Sequence, residues 1–376
     1  MRACTFAGFV LVAIVLVTFA AAVSGQSGRV QQIPTPTPRD ESLRVTTEEI
    51  KLNVLAFDEN GGFFPDVTAN DLVITENNVL HQPASVRRLP ANVLIVMDTG
   101  GELRAVKNLD LTRRVAAAVV RSLRSDDSVA VMDYSDRTEI VDEWTTDKSQ
   151  TLAAIAKKST FGRSSVFVDA LKKATDMLMR DPIENRHLIL ITDGTDAGGR
   201  SSAKFDAYQR LLTTDITVHV ISYSSMEAAD IAPRTSGISK SPPPKAMPDE
   251  VVNQLPPDVR IAATRPQIGP TISLDRTLIK KMKARQADLE ASQEQLEKAA
   301  ERSNGEFILP DSTAEMVDKA PLVAKMIDAS YVVTYIPKLP VNETRGLAER
   351  NIEVTSKRPG LIVQARRKLL IDSGRK

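Results

Sequence analysis

Apolar and polar residues alternate near both ends of the chain but not in its middle. The alternating stretches predict half-buried strands over Ile50–Phe57, Leu72–Glu76, His81–Leu89, Tyr331–Ile336, Asn351–Thr355 and Leu361–Ala365. The three strands before Pro90 are too few to bury a core alone, and so are the three after Ser330. We therefore expect the two groups to close one small β-sandwich together.

The middle of the chain combines continuous apolar runs with stretches of helical spacing. The runs predict strands buried on both faces at Val93–Met97, Val129–Met132, Leu188–Thr192 and Ile216–Ser222, with shorter strands at Thr138–Val141 and Glu306–Leu309. Helical spacing covers Leu111–Leu123, Val166–Met179, Leu274–Arg302 and Met316–Ile327. Strands that alternate with helices predict an α/β fold: a doubly wound, mostly parallel sheet, here inserted into the sandwich.

The predicted domain organisation follows from these patterns. It is an export signal or anchor at 1–25, a Pro-rich linker at 26–43, β segments at 44–89 and 330–370, and the α/β domain at 90–329. Within the α/β domain, residues 224–272 lack periodicity and contain many prolines, which predicts a surface insertion. The charged helix at 274–303 has a narrow apolar stripe. We expect its last two turns to pack on the sheet and the rest to project into solvent, and a coiled-coil contact through the stripe is the alternative.

The N-terminus indicates export. Arg2 precedes an apolar run over Phe6–Val23, and small residues at Ala22–Gly25 are typical of a cleavage site. The run is also long enough to approach a membrane span, so an uncleaved anchor is the alternative, and only then would the protein contact a membrane. Either way the body is expected outside the cytoplasm, periplasmic or secreted, and cleavage would remove Cys4.

Composition narrows the function classes. The 376 residues include 49 Lys and Arg against 48 Asp and Glu, and only 4% are aromatic. This balance gives no electrostatic reason to expect a nucleic-acid partner. One Cys and three His leave little material for a zinc or His-centred site. No glycine-rich phosphate-binding loop occurs.

Two acidic residues follow buried strands. Asp98 ends the run Val93–Met97, and Asp193 follows Leu188–Thr192. Ligands of open α/β sheets bind beyond the carboxyl ends of strands, so both carboxylates are expected on one binding edge. Hard divalent cations prefer such oxygen ligands. The alternative is that both residues cap helices or turns at strand-to-helix corners.

The sequence around these residues resembles a von Willebrand factor type A domain, in particular the secreted von Willebrand A-related proteins of acidobacteria. The resemblance is carried by the stretches Val93–Glu102, Phe161–Leu171 and Leu188–Gly194, and by flanking strands within 45–370.

That family carries a metal-ion-dependent adhesion site of the pattern Asp-x-Ser-x-Ser, with a Thr and an Asp from two further loops. The resemblance implies Asp98, Ser165 and Asp193 as ligands of Mg²⁺, or of Ca²⁺ or Mn²⁺. The two serine positions are Gly100 and Glu102 here, so the site is degenerate, and the absence of any metal is an equal alternative.

The resulting expectation is a non-enzymatic module that binds a protein partner at this edge of the sheet. A rival interpretation uses the triplet Asp98-Thr99-Gly100, which also occurs in aspartic proteases. That mechanism needs two carboxyl groups that share a proton. No second Asp-Thr-Gly or Asp-Ser-Gly triplet is present, and Asp98 is expected to lead into a helix rather than a β-hairpin.

Overall fold

The computed structural model describes residues 49–101, 106–180, 182–198, 201–240, 256–257, 259–260, 271–272, 275–340 and 346–372. They all belong to one unit, Thr47–Lys376. The predicted signal and linker lie outside the described residues, as does most of the predicted insertion. In the described ranges, no helix is both long enough and apolar enough to span a membrane.

A six-stranded sheet forms the centre of the α/β domain. Its strands are β5 (Asn92–Asp98), β6 (Ser128–Tyr134), β7 (Thr138–Thr145), β8 (Arg186–Thr192), β9 (Thr217–Ser222) and β12 (Phe307–Ile308). The order across the sheet is β12-β9-β8-β5-β6-β7. All neighbours are parallel except β7, which runs antiparallel to β6. The predicted α/β class and mostly parallel sheet are confirmed.

Helices cover both faces of this sheet. They are α1 (Leu109–Ser122), α2 (Lys148–Lys158), α3 (Phe167–Leu178), α4 (Ser201–Leu212), α5 (Ser224–Ile231), α6 (Arg276–Ser303) and α7 (Thr313–Asp328). One core joins α1, α2 and α7 to the sheet, and a second core joins α3, α4 and the end of α6 to its other face. The sheet is therefore doubly wound, and its strands are buried on both faces as their unbroken apolar sequences require.

Two short strands, β10 (Ile238–Ser239) and β11 (Thr271–Ile272), pair antiparallel with each other. The strands still to be named form two antiparallel four-stranded sheets. They are β1 (Ile50–Phe57), β2 (Leu72–Glu76), β3 (Val79–His81), β4 (Ser85–Arg87), β13 (Ser330–Tyr335), β14 (Leu347–Ser356), β15 (Ile362–Ala365) and β16 (Lys368–Asp372). The sheet orders are β15-β1-β13-β4 and β16-β14-β2-β3. Each sheet combines strands from before and after the α/β domain, and one hydrophobic core lies between them. The predicted composite sandwich is confirmed.

A buried ion pair also joins the two parts of the sandwich. The Arg350 guanidinium donates to Glu76 Oε1 at 2.5 Å, and both side chains are 5% exposed. Because the two residues come from β14 and β2, the ion pair links the C-terminal strands directly to the N-terminal ones.

Several elements differ from the expectation. The predicted strand His81–Leu89 is divided into β3 and β4, which belong to different sheets, and Pro83 between them has no N–H to continue a ladder. Helix α2 was not predicted, and its N-cap Asp147 accepts from two backbone N–H groups. Helix α5 occupies the first residues of the predicted insertion.

The last two turns of helix α6 pack on the sheet, as predicted, but the expectation that the rest of the helix projects into solvent was wrong. Leu296 lies in the core of the sheet, and Met282 and Leu289 are buried against Ile231 at the end of α5. The physical reason is α5 itself, which supplies an apolar partner that the sequence pattern did not reveal. This packing carries α6 across the carboxyl edge of the sheet.

Candidate functional site at the carboxyl edge of the sheet

The two acidic residues lie side by side at the point where strand order reverses. Strands β5 and β8 are parallel neighbours, with Met97 opposite Ile191. Asp98 ends β5 and Asp193 directly follows β8. Both side chains are completely buried. The expectation that the two carboxylates share one edge of the sheet therefore agrees with the structure.

Four donors surround the Asp98 carboxylate. Oδ1 accepts from Gly100 N at 3.1 Å and from Ser165 Oγ at 2.9 Å. Oδ2 accepts from Lys107 Nζ at 2.7 Å and from Thr192 Oγ1 at 3.2 Å. The buried carboxylate is therefore fully hydrogen-bonded by its own chain, as a buried charge requires.

The ammonium group of Lys107 bridges the two carboxylates. Its Nζ lies 2.7 Å from Asp98 Oδ2 and 2.9 Å from Asp193 Oδ2. The Lys107 side chain is 3% exposed, so both ion pairs are shielded from water. Lys107 lies just before α1, whose N-cap is Asn108. A cation is unfavourable beside a helix N-terminus, and here the two carboxylates compensate for that position.

Arg285 adds a second cation from helix α6. Its Nη2 lies 3.1 Å from Asp193 Oδ2 and 2.6 Å from Glu227 Oε1, and its Nη1 donates to Thr195 Oγ1 at 2.8 Å. Thr195 in turn donates through N and Oγ1 to Asp193 Oδ1, both at 2.7 Å. Helix α6 and the loop after β8 are thus held together by charged hydrogen bonds.

The five ionisable groups Asp98, Lys107, Asp193, Glu227 and Arg285 shift one another's pKa values. Burial alone would raise the pKa of Asp193, but Lys107 and Arg285 hold it well below its ordinary value. Burial raises the pKa of Asp98, and Lys107 opposes that rise. Burial would lower the pKa of Lys107, yet Asp193 and Asp98 raise it well above its ordinary value, so Lys107 is charged. Burial and the charge of Asp193 raise the pKa of Glu227 to about 8.

These shifts balance the charge of the site at neutral pH. Three carboxyl groups face two cations, Lys107 and Arg285. With Glu227 protonated, the remaining carboxylates and the two cations sum to zero. The cluster of Asp98, Lys107, Asp193, Glu227 and Arg285, called the lysine-bridged cluster below, is therefore complete without an added ion.

The residues present do not fit a divalent cation. An ion bound to Asp98 Oδ2 and Asp193 Oδ2 would lie beside the Lys107 ammonium, which is within 2.9 Å of both oxygens. A double and a single positive charge about 3 Å apart repel by roughly 10 kcal/mol at an effective dielectric constant of about 20. Within the described ranges, no group of three or more His, Cys, Asp and Glu side chains is arranged to hold a metal.

Gly100 shows that the first loop is also built differently from the family pattern. A Cβ at this position would lie 1.7 Å from the carbonyl oxygen of Ser164 and 2.9 Å from Cα of Ser135. The backbone therefore has no room for the serine that the family carries here. Glu102, at the second serine position, lies outside the described residues. The ligand set Asp98, Ser165 and Asp193 stays a prediction, and its members contact Lys107 or each other.

Sequence reasoning missed Lys107, Glu227 and Arg285. For Lys107 a signal existed, because a lysine directly before a helix N-terminus is unfavourable unless anions lie nearby. Glu227 fell in a segment without clear periodicity, and Arg285 was one of many charged residues on α6. Only tertiary packing reveals that these two side chains meet Asp193.

An open cleft of about 250 Å³ lies beside the lysine-bridged cluster. Its border includes the cations Arg163, Lys281 and Arg285 and the anion Asp196, together with hydroxyl groups. Arg163 and Lys281 are exposed on this border, and Arg285 contacts Asp193 and Glu227 of the cluster. The accessible surface above the buried cluster is therefore positively charged and polar.

The geometry gives no support to an aspartic protease. The triplet Asp98-Thr99-Gly100 lies at the end of a parallel strand. Asp98 and Asp193 are bridged by the Lys107 ammonium instead of sharing a proton. Asp98 is also completely buried, so it has no access to the water that such a mechanism activates.

The domain is doubly wound and has two acidic residues at the switch point of its sheet. Sequence comparison identifies a protein family with which this part of the chain agrees. Residues 93–195 match the family model of the von Willebrand factor type A domain. The chain therefore contains a domain of this family. The matched region begins in β5 and ends at Thr195, so it includes Asp98, Lys107, Ser165 and Asp193.

Several solved structures are similar at low sequence identity. A von Willebrand factor type A protein from Catenulispora acidiphila is 10% identical, with 87% of this chain and 74% of that chain covered and a TM-score of 0.40. An aerotolerance-related membrane protein from Bacteroides fragilis is 16% identical, with coverages of 63% and 98% and a TM-score of 0.38. Manganese-loaded TRAP protein from Plasmodium vivax is 12% identical, with coverages of 85% and 97% and a TM-score of 0.35. No curated protein matches the sequence significantly.

Proposed function

We propose that this protein is a non-enzymatic, extracytoplasmic binding module that takes an acidic side chain of a protein partner into the cleft at the carboxyl edge of the sheet. The observation that carries the proposal is the placement of Arg163 and Lys281 on that cleft, beside a charge-balanced cluster. The apolar run Phe6–Val23, typical of an export signal, supports the location outside the cytoplasm.

The loop that presents Arg163 is fixed before any partner binds. Asp136 accepts from Arg163 N at 3.2 Å and from Ser164 N at 2.8 Å. Gly162 N donates to Thr99 O at 3.2 Å, which ties the same loop to the end of β5. A binding group on a fixed loop loses little conformational entropy on association. The backbone that carries Arg163 is therefore preorganised, and the exposed guanidinium can bind a carboxylate in bidentate geometry.

The polarity of the cleft favours an anion over a neutral or cationic group. Asp196 is the acidic residue on its border, and both of its carboxylate oxygens accept backbone N–H groups, from Val168 at 3.0 Å and from Gly198 at 3.0 Å. These bonds occupy both oxygens of the Asp196 carboxylate. The border of the cleft therefore carries three cations, Arg163, Lys281 and Arg285, against this one anion.

The positions of the histidines support a binding role. The three histidines are His81, His187 and His219. His81 lies in the sandwich, and the other two are buried, with His187 near the amino end of β8. Among the described residues that border the cleft, there is neither a histidine nor a cysteine.

Selection of peptides from a random display library on the immobilised protein tests the proposal. We expect the selected peptides to contain Asp or Glu. Arg163→Glu should weaken their binding at least about tenfold, since hydrogen bonds to charged groups contribute about 1.5–3 kcal/mol. Arg121→Glu is the matched control, because Arg121 is exposed in the last turn of α1, away from the cleft.

The two outcomes are distinct. Binding that falls with ionic strength and is lost in Arg163→Glu but kept in Arg121→Glu supports the proposal. Selected peptides without acidic residues, or equal binding to both variants, contradict it.

A further inference from the structure

The lysine-bridged cluster places a covalently attached cation between two buried carboxylates. Lys107 Nζ lies within hydrogen-bond distance of Asp98 Oδ2 and Asp193 Oδ2, at 2.7 and 2.9 Å. Asp98 is the last residue of β5, Asp193 directly follows the neighbouring strand β8, and Lys107 belongs to the segment before α1. One ammonium group therefore joins three separate segments of the chain.

The rest of the cluster is built to suit an ammonium group and to exclude an ion. Gly100 leaves no room for a ligating side chain, because a Cβ there would lie 1.7 Å from the Ser164 carbonyl oxygen. Ser165 Oγ donates a hydrogen bond to Asp98 Oδ1 at 2.9 Å, which fixes the orientation of this carboxylate. Arg285 supplies a second positive charge to Asp193 Oδ2 at 3.1 Å. A site with two cations of its own has no need of a third.

We propose that Lys107 is a built-in substitute for a divalent cation, which keeps the loops at the carboxyl edge assembled in the absence of metal. The consequence is a binding edge that metal chelators do not affect. This inference concerns assembly of the edge and does not depend on which partner the cleft binds.

The inference makes opposite predictions for the native protein and for a variant without the ammonium group. The native protein should bind no Mn²⁺ at Asp98 and Asp193, and its Tm should be the same in chelator and in MnCl₂. Lys107→Ala removes the cation and leaves Asp98, Asp193 and the Ser165 hydroxyl around a vacated space. Carboxylate and hydroxyl oxygens suit Mn²⁺ or Mg²⁺. We therefore expect Lys107→Ala to have a lowered Tm that MnCl₂ raises by roughly 5 °C at a hundredfold excess over Kd.

Two further variants control this experiment. Lys204→Ala removes another buried lysine, whose Nζ donates to Ser292 Oγ rather than to a carboxylate. It should lower the Tm without creating a response to Mn²⁺. Lys107→Gln keeps a hydrogen-bond donor and fills more of the space than alanine. It provides a folded neutral variant if Lys107→Ala does not fold in chelator.

Electron paramagnetic resonance of Mn²⁺ counts bound ions directly and separates the outcomes. No bound Mn²⁺ in the native protein and one ion in Lys107→Ala, or folding of that variant only with Mn²⁺, supports the inference. Stoichiometric Mn²⁺ in the native protein that disappears in Asp98→Asn overturns it. It is also overturned if folded Lys107→Ala and Lys107→Gln have the native Tm in chelator, since the ammonium would then hold nothing together.

Discussion

Replacement of Glu227 by glutamine should remove a specific pH dependence of stability. Glu227 is 2% exposed, and its Oε1 accepts from Arg285. Its Oε2 has no donor within the described part of the chain. Burial, followed by the charge of Asp193, raises its pKa to about 8 from an ordinary value of 4.5. When Glu227 is protonated, its hydroxyl would donate a hydrogen bond to Asp193. The amide N–H of glutamine would donate the same hydrogen bond.

The sign of the effect follows from proton linkage. Between pH 4.5 and 8, Glu227 holds a proton in the folded protein but not in the unfolded chain. The resulting stabilisation is complete below pH 4.5 and is lost as the pH rises to 8. At about 1.36 kcal/mol for each pH unit, the full contribution is on the order of 5 kcal/mol, of which about 2 kcal/mol disappears between pH 6.5 and 8.5.

Urea unfolding at pH 6.5, 7.5 and 8.5 measures this difference. Trp144 is the single tryptophan and is packed against one core of the α/β domain, so its fluorescence reports unfolding there. Burial lowers the pKa values of His187 and His219, so both rings are already neutral at these pH values. The free energy of unfolding of the native protein should fall by about 2 kcal/mol more than that of Glu227→Gln.

Glu143→Gln is the control, because Glu143 is exposed on β7 and contributes no buried charge. It should follow the native pH dependence. If the native protein and Glu227→Gln lose stability in parallel between pH 6.5 and 8.5, the proton is not on Glu227. The charge balance of the lysine-bridged cluster would then have to be revised.

Three further predictions concern the first loop of the site and the β-sandwich. Gly100→Ala should destabilise the protein by several kcal/mol or prevent folding, because its Cβ would clash with backbone atoms. Gly62→Ala is the control, since its Cβ would contact the Asp58 side chain, and it should have a much smaller effect in the same urea titration. Arg350→Ala should cost about 3–5 kcal/mol, since it takes the guanidinium partner from the buried Glu76 carboxylate, which keeps the His81 ring at 3.4 Å. An unchanged urea midpoint would contradict this. Removal of residues 330–376 deletes both strands that pair with β1 and the strand β14 that pairs with β2. Limited proteolysis of the shortened protein should therefore cleave within 50–88. Continued protection of that segment would show that these strand pairs are not needed for its folding.

Much of the fold could be predicted from the sequence, because local patterns report which faces of each element are buried. Continuous apolar runs such as Leu188–Thr192 occur where a strand is covered on both faces, and alternation such as that of Asn351–Thr355 occurs where one face is exposed. The half-buried strand predicted for Ile50–Phe57 was wrong, because both faces of β1 are buried in the structure. The sandwich followed from a further physical limit, that three strands cannot bury a core alone. The edge position of Asp98 and Asp193 followed from strand direction.

The state of the site was decided only by tertiary structure. Hydrophobic periodicity says nothing about which charged side chain meets which, and Arg285 looked like one more solvated residue of a charged helix. Its contact with Asp193 depends on the packing of α6 against α5, which places the guanidinium over the carboxyl edge. The position of Lys107 depends likewise on the path of the segment before α1.

The sequence by itself therefore determined that Asp98 and Asp193 lie at the carboxyl edge of the sheet. The tertiary structure decided that the Lys107 ammonium lies between them. The physical reason is the range of each interaction. Burial of apolar faces produces a periodic pattern of apolar residues close together in the sequence. An ion pair such as Lys107–Asp193 joins positions 86 residues apart and produces no such pattern.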